Sequence, residues 1–410
     1  MSGENLSEVY AIFNPREPLR GDKLKYYVDR GSGLERVVWE IQSSKEPLKI
    51  IFPAIRGNGN TTELNKLAEN IKRADEIFVV MFVAKDKLDL VSINYVDLLL
   101  SVGIEIHNAV SEQVEPDPEL EKALGNWSEK VVESIKGEKE ELEVGVGFTA
   151  ILKLLGKMKT ETTTREIVRR VVEPRLSDLI ELVNGVVAYA EEKLGKKILV
   201  IIDDLDKMAP KQAEELFYGY STVLTGLDCN LIYTMPRALM FSDKYQWIIR
   251  FYDNDIKIPN IALFDRDANR NNANWKTMRE IAEKRTKEQG LPLQTLISDE
   301  ALELAIEMSG GVIHDFIRII RESAVKGYEN SRDRIEKEDV DAYVVDLRND
   351  YLRILTGKDF DILRAVTDKH EKTDEDRFRE LLFNLAILEY LDPEGELWYN
   401  VHPVIKGVLD

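Results

Sequence analysis

Apolar residues in this chain fall into two kinds of run, and the alternation between them sets the architecture. Leu48-Lys49-Ile50-Ile51-Phe52, Ile77-Phe78-Val79-Val80-Met81-Phe82-Val83, Ile198-Leu199-Val200-Ile201-Ile202 and Cys229-Asn230-Leu231-Ile232-Tyr233-Thr234 are short and apolar almost throughout. Such runs suit strands of a parallel sheet covered on both faces. A last strand is expected within Ile256 to Phe264. Elsewhere apolar positions return at helical spacing: Leu64, Leu67, Ala68 and Ile71 mark one face of a helix over Thr61 to Ala74. The same period runs through Gly33 to Ile41, Val91 to Val110, and Arg165 to Leu194, the last read as one long amphipathic helix. Strands and helices alternating in this way predict a right-handed parallel α/β sheet.

Beyond about residue 270 the strand pattern stops. Trp275 to Gln289, Ser298 to Ser309 and Val312 to Lys326 read as helices, with Ser298-Asp299-Glu300 as a cap and Gly310-Gly311 as a stop. From about Arg348 the tail holds further helices, and Leu397-Trp398-Tyr399-Asn400-Val401-His402-Pro403 then reads as a hairpin arm. The charge-rich stretch from Glu115, opened by Pro116 and Pro118 and broken at Gly145-Val146-Gly147, reads as a helical insertion. The expected organisation is a core over 1–270 carrying an insertion at about 112–164, a helical lid over 271–346, and a third module over 347–410.

Size and charge narrow the function classes. A chain of 410 residues exceeds what one hydrophobic core fills. No run approaches the length needed to cross a bilayer, and the first residues open no basic region followed by an apolar stretch, so neither a membrane span nor a secretory signal is expected. Cys229 is the single cysteine, which suits a reducing compartment, and the expected location is the cytoplasm. The formal charge of −19 repels a polyanion on average. From Asn349 to Asp410 there are eight basic residues against fourteen acids, and the segment placed to read a DNA groove begins Asp374-Glu375-Asp376. That balance disfavours nucleic acid as a partner. His107, His314, His370 and His402 are scattered without ligand spacing, so metal chemistry beyond Mg²⁺ finds no support.

The candidate chemistry lies where the first strand gives way to glycines. A phosphate-binding P-loop needs a glycine, four free positions, then Gly-Lys-Ser/Thr between a strand and a helix, so that backbone N–H groups surround the phosphates. Here the window is Ala54-Ile55-Arg56-Gly57-Asn58-Gly59-Asn60-Thr61. Gly57 and Gly59 supply permissive backbone, the helix from Thr61 offers its positive end, and the Thr61 hydroxyl is a candidate Mg²⁺ ligand. Asn60 stands at the lysine position. Losing a charge-assisted hydrogen bond of about 1.5–3 kcal/mol weakens phosphate binding by roughly tenfold to a few hundredfold. Losing a preorganised donor costs on the order of 10²–10³ in rate. Binding survives this better than hydrolysis does. The amide of Asn60 still offers a donor, and Arg56 stands near enough in sequence to restore some positive potential. Downstream, the apolar strand ending in Asp203-Asp204-Leu205-Asp206 has the form of a Walker B motif: Asp203 to hold Mg²⁺, Asp204 to orient the attacking water. The other reading of these acids is a helix cap.

With those residues in hand, the chain resembles the AAA+ and STAND branch of P-loop ATPases, near the origin-recognition initiators. The resemblance runs through Arg56-Gly57-Asn58-Gly59-Asn60-Thr61-Thr62-Glu63-Leu64, Tyr95 to Leu100, the Asp203-Asp204 pair, Ser309-Gly310-Gly311-Val312-Ile313-His314-Asp315 and the closing Trp398-Tyr399-Asn400-Val401-His402-Pro403. It implies a P-loop NTPase sheet with a helical insertion, a helical lid and a C-terminal winged helix. It also implies ATP or ADP with Mg²⁺, and contacts to nucleotide from Arg56 to Thr62. Thr234 then stands either as the sensor of the terminal phosphate or as a plain strand end. His314 occupies the usual place of the lid's sensor arginine, with Arg318 or Arg321 as substitutes. Tyr26, Tyr27 and Val28 match the segment lining the adenine pocket, and core packing explains them nearly as well. Arg237, Arg250, Arg266 and Arg285 are the candidates for an arginine finger.

Three functions follow. The first is a switch or assembly subunit that binds nucleotide, hydrolyses it weakly or not at all, and works through partner proteins or a homo-oligomer, as STAND-like relatives do in signalling or defence. The second is an active ATPase in which another residue or subunit replaces the lysine. The third is a winged-helix regulator or initiator on DNA.

Overall fold

The computed structural model describes residues 4–73, 75–115, 117–136, 148–287, 290–373 and 376–409. The expected helix ends at Ala74 and Gln289, the punctuation at Pro116 and Gly145 to Gly147, and the Asp374-Glu375 opening lie outside those residues. Two compact units form, each from separated segments: one from 33–53 and 67–257, the other from 1–32, 54–66 and 258–410.

The first unit carries a five-stranded sheet. Its strands are β1 (Lys49–Ala54), β2 (Ile77–Val83), β3 (Lys197–Asp203), β4 (Asn230–Pro236) and β5 (Asn254–Asp255), in the order β2-β3-β4-β1-β5. β2 and β3 pair in parallel from Ile77 opposite Lys197 to Val83 opposite Asp203, and β3 and β4 pair in parallel from Leu199 opposite Asn230. Ile198 to Ile202 are wholly buried, which is why that run carries no polar alternation. The expected fifth strand was placed too late. It is two residues long, at Asn254 and Asp255 on the sheet edge, and pairs with Ile50 and Ile51 of β1. Both residues are polar and hide the strand from an apolar search, while Pro259 further on has no N–H to offer a ladder. Phe264 makes only an isolated bridge with Arg270.

Helices cover this sheet. Tyr95–Ser111 begins later than the expected Val91 because Asn94 caps it, accepting from the N–H groups of Val96 and Asp97. The long helix expected over Arg165 to Leu194 is two helices, Thr162–Val172 and Leu176–Leu194, joined by a short 3₁₀ turn at Glu173–Arg175. Pro174 accounts for the break, since it has no N–H and crowds the carbonyl one turn back. Thr162–Val172 packs with Pro118–Lys136 and Phe148–Thr160 as the helical insertion.

In the second unit the helices Asn272–Lys287, Asp299–Met308, Ile313–Glu329 and Lys337–Ile354 build the lid. Ser298 caps Asp299–Met308 as expected, its hydroxyl accepting from Ala301 N–H. Gly357–Lys369 and Asp376–Phe383 follow, and then the antiparallel hairpin of β6 (Ile387–Leu391) and β7 (Leu397–Val401), a winged-helix arrangement. Asp359 closes a capping box with Thr356 and takes an ion pair from Arg377, 2.8 Å away. The Arg377 hydrogen bond, with those from Thr356, holds the Asp359 carboxyl down to about 2. A folded-state value below the unfolded one gives stability that is present above about pH 4 and lost as pH falls towards 2. Thermal midpoints between pH 6 and pH 2.5 are expected to fall more steeply for the wild type than for Asp359→Asn. Parallel curves would remove Asp359 from the acid response.

Candidate functional site

The glycine loop connects a buried strand to a helix. It leaves β1 at Ala54 and enters the helix Asn60–Lys72, with Gly57 at φ +74° and Gly59 at φ +75°, values that favour glycine. Asn58 N–H closes a turn onto Ile55 O, and Glu63 N–H takes Gly59 O. The N–H groups of Gly59, Asn60, Thr61 and Thr62 meet no acceptor among the described residues, so four consecutive donors stand at the positive end of a helix. The Thr61 hydroxyl likewise makes no hydrogen bond among the described residues, whereas that of Thr62 accepts from Leu19 N–H at 3.1 Å.

The loop's side chains are less available than its backbone. Asn60 is buried, and its amide donates to Ile55 O at 2.6 Å, back across the loop, leaving its Oδ1 without a partner among the described residues. Asn58 is wholly buried, donating to Ile258 O and Pro259 O and accepting from Arg30 Nη1 at 2.6 Å. Arg56 holds its guanidinium 4.9 Å from the centre of the Phe383 ring in the winged helix. Val28 is buried, and Tyr27 donates its hydroxyl to Glu63 Oε2 at 3.0 Å. Burial and the charge of Glu63 push the Tyr27 hydroxyl well above its ordinary value, so it remains a donor. Lys284 Nζ reaches Tyr27 O at 2.8 Å.

The lid meets the loop through its Gly-Gly turn. Gly310 and Gly311 both take positive φ, and His314 N–H donates to Gly57 O at 2.8 Å. A Cβ on Gly57 would sit 3.0 Å from His314 Cβ. The His314 ring turns to Asp315, whose buried carboxylate also accepts from Tyr351 and lies 3.2 Å from His402 Nε2. Burial works against this charge, yet the surrounding donors hold the Asp315 carboxyl well below the usual carboxylate range. Arg318 pairs with Asp350, and Arg321 bonds Asn14 and lies over the Tyr10 ring.

The acidic turn belongs to the other unit and ends β3. Asp203, Asp204 and Asp206 are buried, and each offers a carboxylate oxygen within 4.8 Å of the others. Burial, with Asp203 beside it, pushes Asp206 up to about 7. Asp204 has φ +70°, an uncommon backbone for a residue with a side chain, and its N–H is held by Asp203 Oδ1 at 2.7 Å. Its carboxylate meets two lysines, Lys85 at 2.8 Å and Lys207 at 2.5 Å. Thr234 is wholly buried; its hydroxyl donates to Ile202 O and accepts from Leu205 N–H, which ties β4 to the acidic turn. Arg237, one of the finger candidates, is buried in this unit.

The fold is that of a P-loop NTPase core followed by a helical lid and a winged helix. No protein-family model and no curated protein matches the chain. Among solved structures it is similar to the Aeropyrum pernix ORC1 protein in complex with DNA, at 10% identity over 98% of this chain and 95% of that one, with a TM-score of 0.44. The Pyrobaculum aerophilum CDC6p structure matches at 12% identity over 97% of each chain, with a TM-score of 0.43. The Thermotoga maritima RuvB Holliday junction branch migration motor matches at 11% identity over 95% of this chain and 96% of that one, with a TM-score of 0.40. The assignment of fold rests on the chain's own strands, loop and helices.

Sequence reasoning missed Arg30, Lys85 and Lys207. Arg30 and Lys85 are single basic residues in segments without a motif, and their partners lie far away along the chain. Lys207, which follows Asp206 directly, was legible as a neighbour of the acids.

Proposed function

We propose that the chain is an AAA+/STAND-like nucleotide-binding switch or assembly subunit, acting through partner proteins or further copies of itself, with hydrolysis weak or absent. The observation that carries this is the contrast within the loop: four unspent backbone donors beside side chains that bring no free cation. Asn60 bonds Ile55 O and Arg56 lies over Phe383. A loop of this kind holds phosphate oxygens by backbone N–H groups and helix polarity. It supplies little of the positive charge that a phosphoryl-transfer transition state requires.

Mg²⁺ fits the acidic turn, since Asp203, Asp204 and Asp206 offer a close cluster of carboxylate oxygens, and burial, with Asp203 beside it, pushes Asp206 up to about 7. Asp203 would hold the ion, and the ion would offset the mutual repulsion of the three carboxylates when bound. The Asp204 carboxylate is engaged by Lys85 and Lys207, and these ion pairs would have to loosen before it could take a proton from an attacking water. The winged helix supports protein contact over DNA contact. Arg377 pairs with Asp359 and Glu380, and Arg379 with Asp376, so these two arginines of Asp376–Phe383 are spent within the module.

Isothermal titration of the full chain with ATP and with ADP, each with Mg²⁺, is expected to show binding, and phosphate release is expected to stay near the uncatalysed rate. No heat at millimolar nucleotide would sink the switch reading. Steady release abolished by Asp204→Asn would replace it with an active ATPase.

A further inference from the structure

We propose that Arg30 is a positioning residue for the ligand of the glycine loop: it locks the loop's tip to the first turn of the following helix and offers an N–H of its remaining nitrogen, Nη2, to an oxygen of the bound nucleotide. The inference rests on the reading above that this loop binds nucleotide.

Arg30 is the best buried cation at the loop. Its side chain is 4% exposed and that of its partner Glu63 is 3% exposed, with Nε 2.8 Å from Glu63 Oε1. Burying such a pair is costly unless every donor and lone pair is met. Most are met here. Nη1 donates to Asn58 Oδ1 at 2.6 Å, and the other oxygen of Glu63 takes the Tyr27 hydroxyl. Asn58 in turn spends its amide N–H groups on Ile258 O and Pro259 O. The tip residue between Gly57 and Gly59 is thus fixed through its side chain, and Glu63 fixes the first turn of Asn60–Lys72. Arg30 is the group that joins the two, and so sets the direction in which the N–H groups of Gly59 to Thr62 point.

One nitrogen is left over. Nη2 of Arg30 is buried and has no hydrogen-bond partner among the described residues. A charged N–H left unmet inside a protein carries a large penalty, and a guanidinium fork with two arms tied cannot swing to water. A ligand oxygen arriving at the loop satisfies it. This gives the site one charge-assisted contact despite asparagine at the lysine position, and it comes from outside the glycine motif. Lysine cannot take the place of Arg30, because a single ammonium lacks the fork that bridges Asn58 and Glu63 while keeping a third arm free.

The test compares full-length Arg30→Lys, Arg30→Met and Asn58→Ala with the wild type. Hydrogen exchange of the peptide spanning Ile55 to Thr62 is measured without ligand, and ATP and tripolyphosphate are titrated calorimetrically. Arg30→Lys is expected to speed loop exchange about tenfold while the β3 peptide stays unchanged, and to weaken ATP binding by about tenfold or more. Asn58→Ala loosens the loop but keeps Nη2, so at similar exchange rates it should lose less affinity than Arg30→Lys. Wild-type exchange in Arg30→Lys would overturn the positioning role, whether or not ligand binds. Equal affinity losses in Arg30→Lys and Asn58→Ala would overturn the ligand contact. A wild type that binds neither ATP nor tripolyphosphate takes down the functional reading and the ligand contact together, while the exchange data still decide the positioning role. If Arg30→Met does not fold, the lysine variant carries the comparison.

Discussion

Gly311→Ala is expected to lower the thermal midpoint of the chain by on the order of 10 °C, the largest stability effect of any single methyl group added at a described glycine. The backbone at Gly311 has φ +78°, which costs an alanine about 1–2 kcal/mol before any contact is counted. The added Cβ would then stand 1.9 Å from the carbonyl oxygen of Ile261, which is backbone and cannot swing aside. Together these amount to roughly 4 kcal/mol or more. Gly310 is nearly as constrained, with Leu388 Cδ1 2.6 Å and Pro403 Cδ 2.9 Å from its would-be Cβ. The control is Gly156→Ala, in the helix Phe148–Thr160 with nothing within 4 Å of the new methyl group. That change should be neutral or stabilise by up to about 1 kcal/mol. Circular dichroism melts of the two variants decide the matter, and coincident midpoints would refute it.

Asn60→Lys is expected to tighten binding of ATP by roughly tenfold to a few hundredfold, the largest effect on affinity available from one substitution in the loop. The position is buried, at 7% exposure, but the present side chain makes only one hydrogen bond there, to Ile55 O, and its Oδ1 is unmet. An ammonium can keep the bond to Ile55 O in the empty loop and turn to phosphate when ligand arrives. Unlike Oδ1, it leaves no buried acceptor facing incoming negative charge. Calorimetry with ATP and Mg²⁺ on both proteins gives the ratio. Equal affinities would mean that the loop does not meet phosphate at Asn60, and the reading of the window would fall with it.

The strands were legible because β3 and β4 are covered on both faces and β2 is apolar throughout, and a run such as Ile198 to Ile202 has no other soluble use. The glycine loop was legible for a related reason: Gly57 and Gly59 are residues that the positive φ values demand. β5 escaped because an edge strand of two polar residues has no apolar signature, and the break at Pro174 escaped because helical spacing continues on both sides of it. At the site, residue types pointed to the loop and to the acids but not to what occupies them. That Asn58 faces inward to Arg30, that Asn60 folds back on Ile55, and that Lys85 meets Asp204 are all consequences of tertiary packing. A pattern read along the chain contains no register for such contacts.

The discontinuity of the two units has a consequence for the order of events during synthesis. Residues 33–257 supply nearly everything that the sheet-bearing unit needs, so that unit can consolidate while the ribosome is still at work. The glycine loop emerges early but belongs with 258–410, and the groups that hold it, Ile258, Pro259, His314 and Phe383, are translated roughly 200 to 325 residues after it. The contacts that support the loop are therefore complete only once Phe383 has been made, and a nascent chain stalled midway would carry a folded sheet with an unsupported loop.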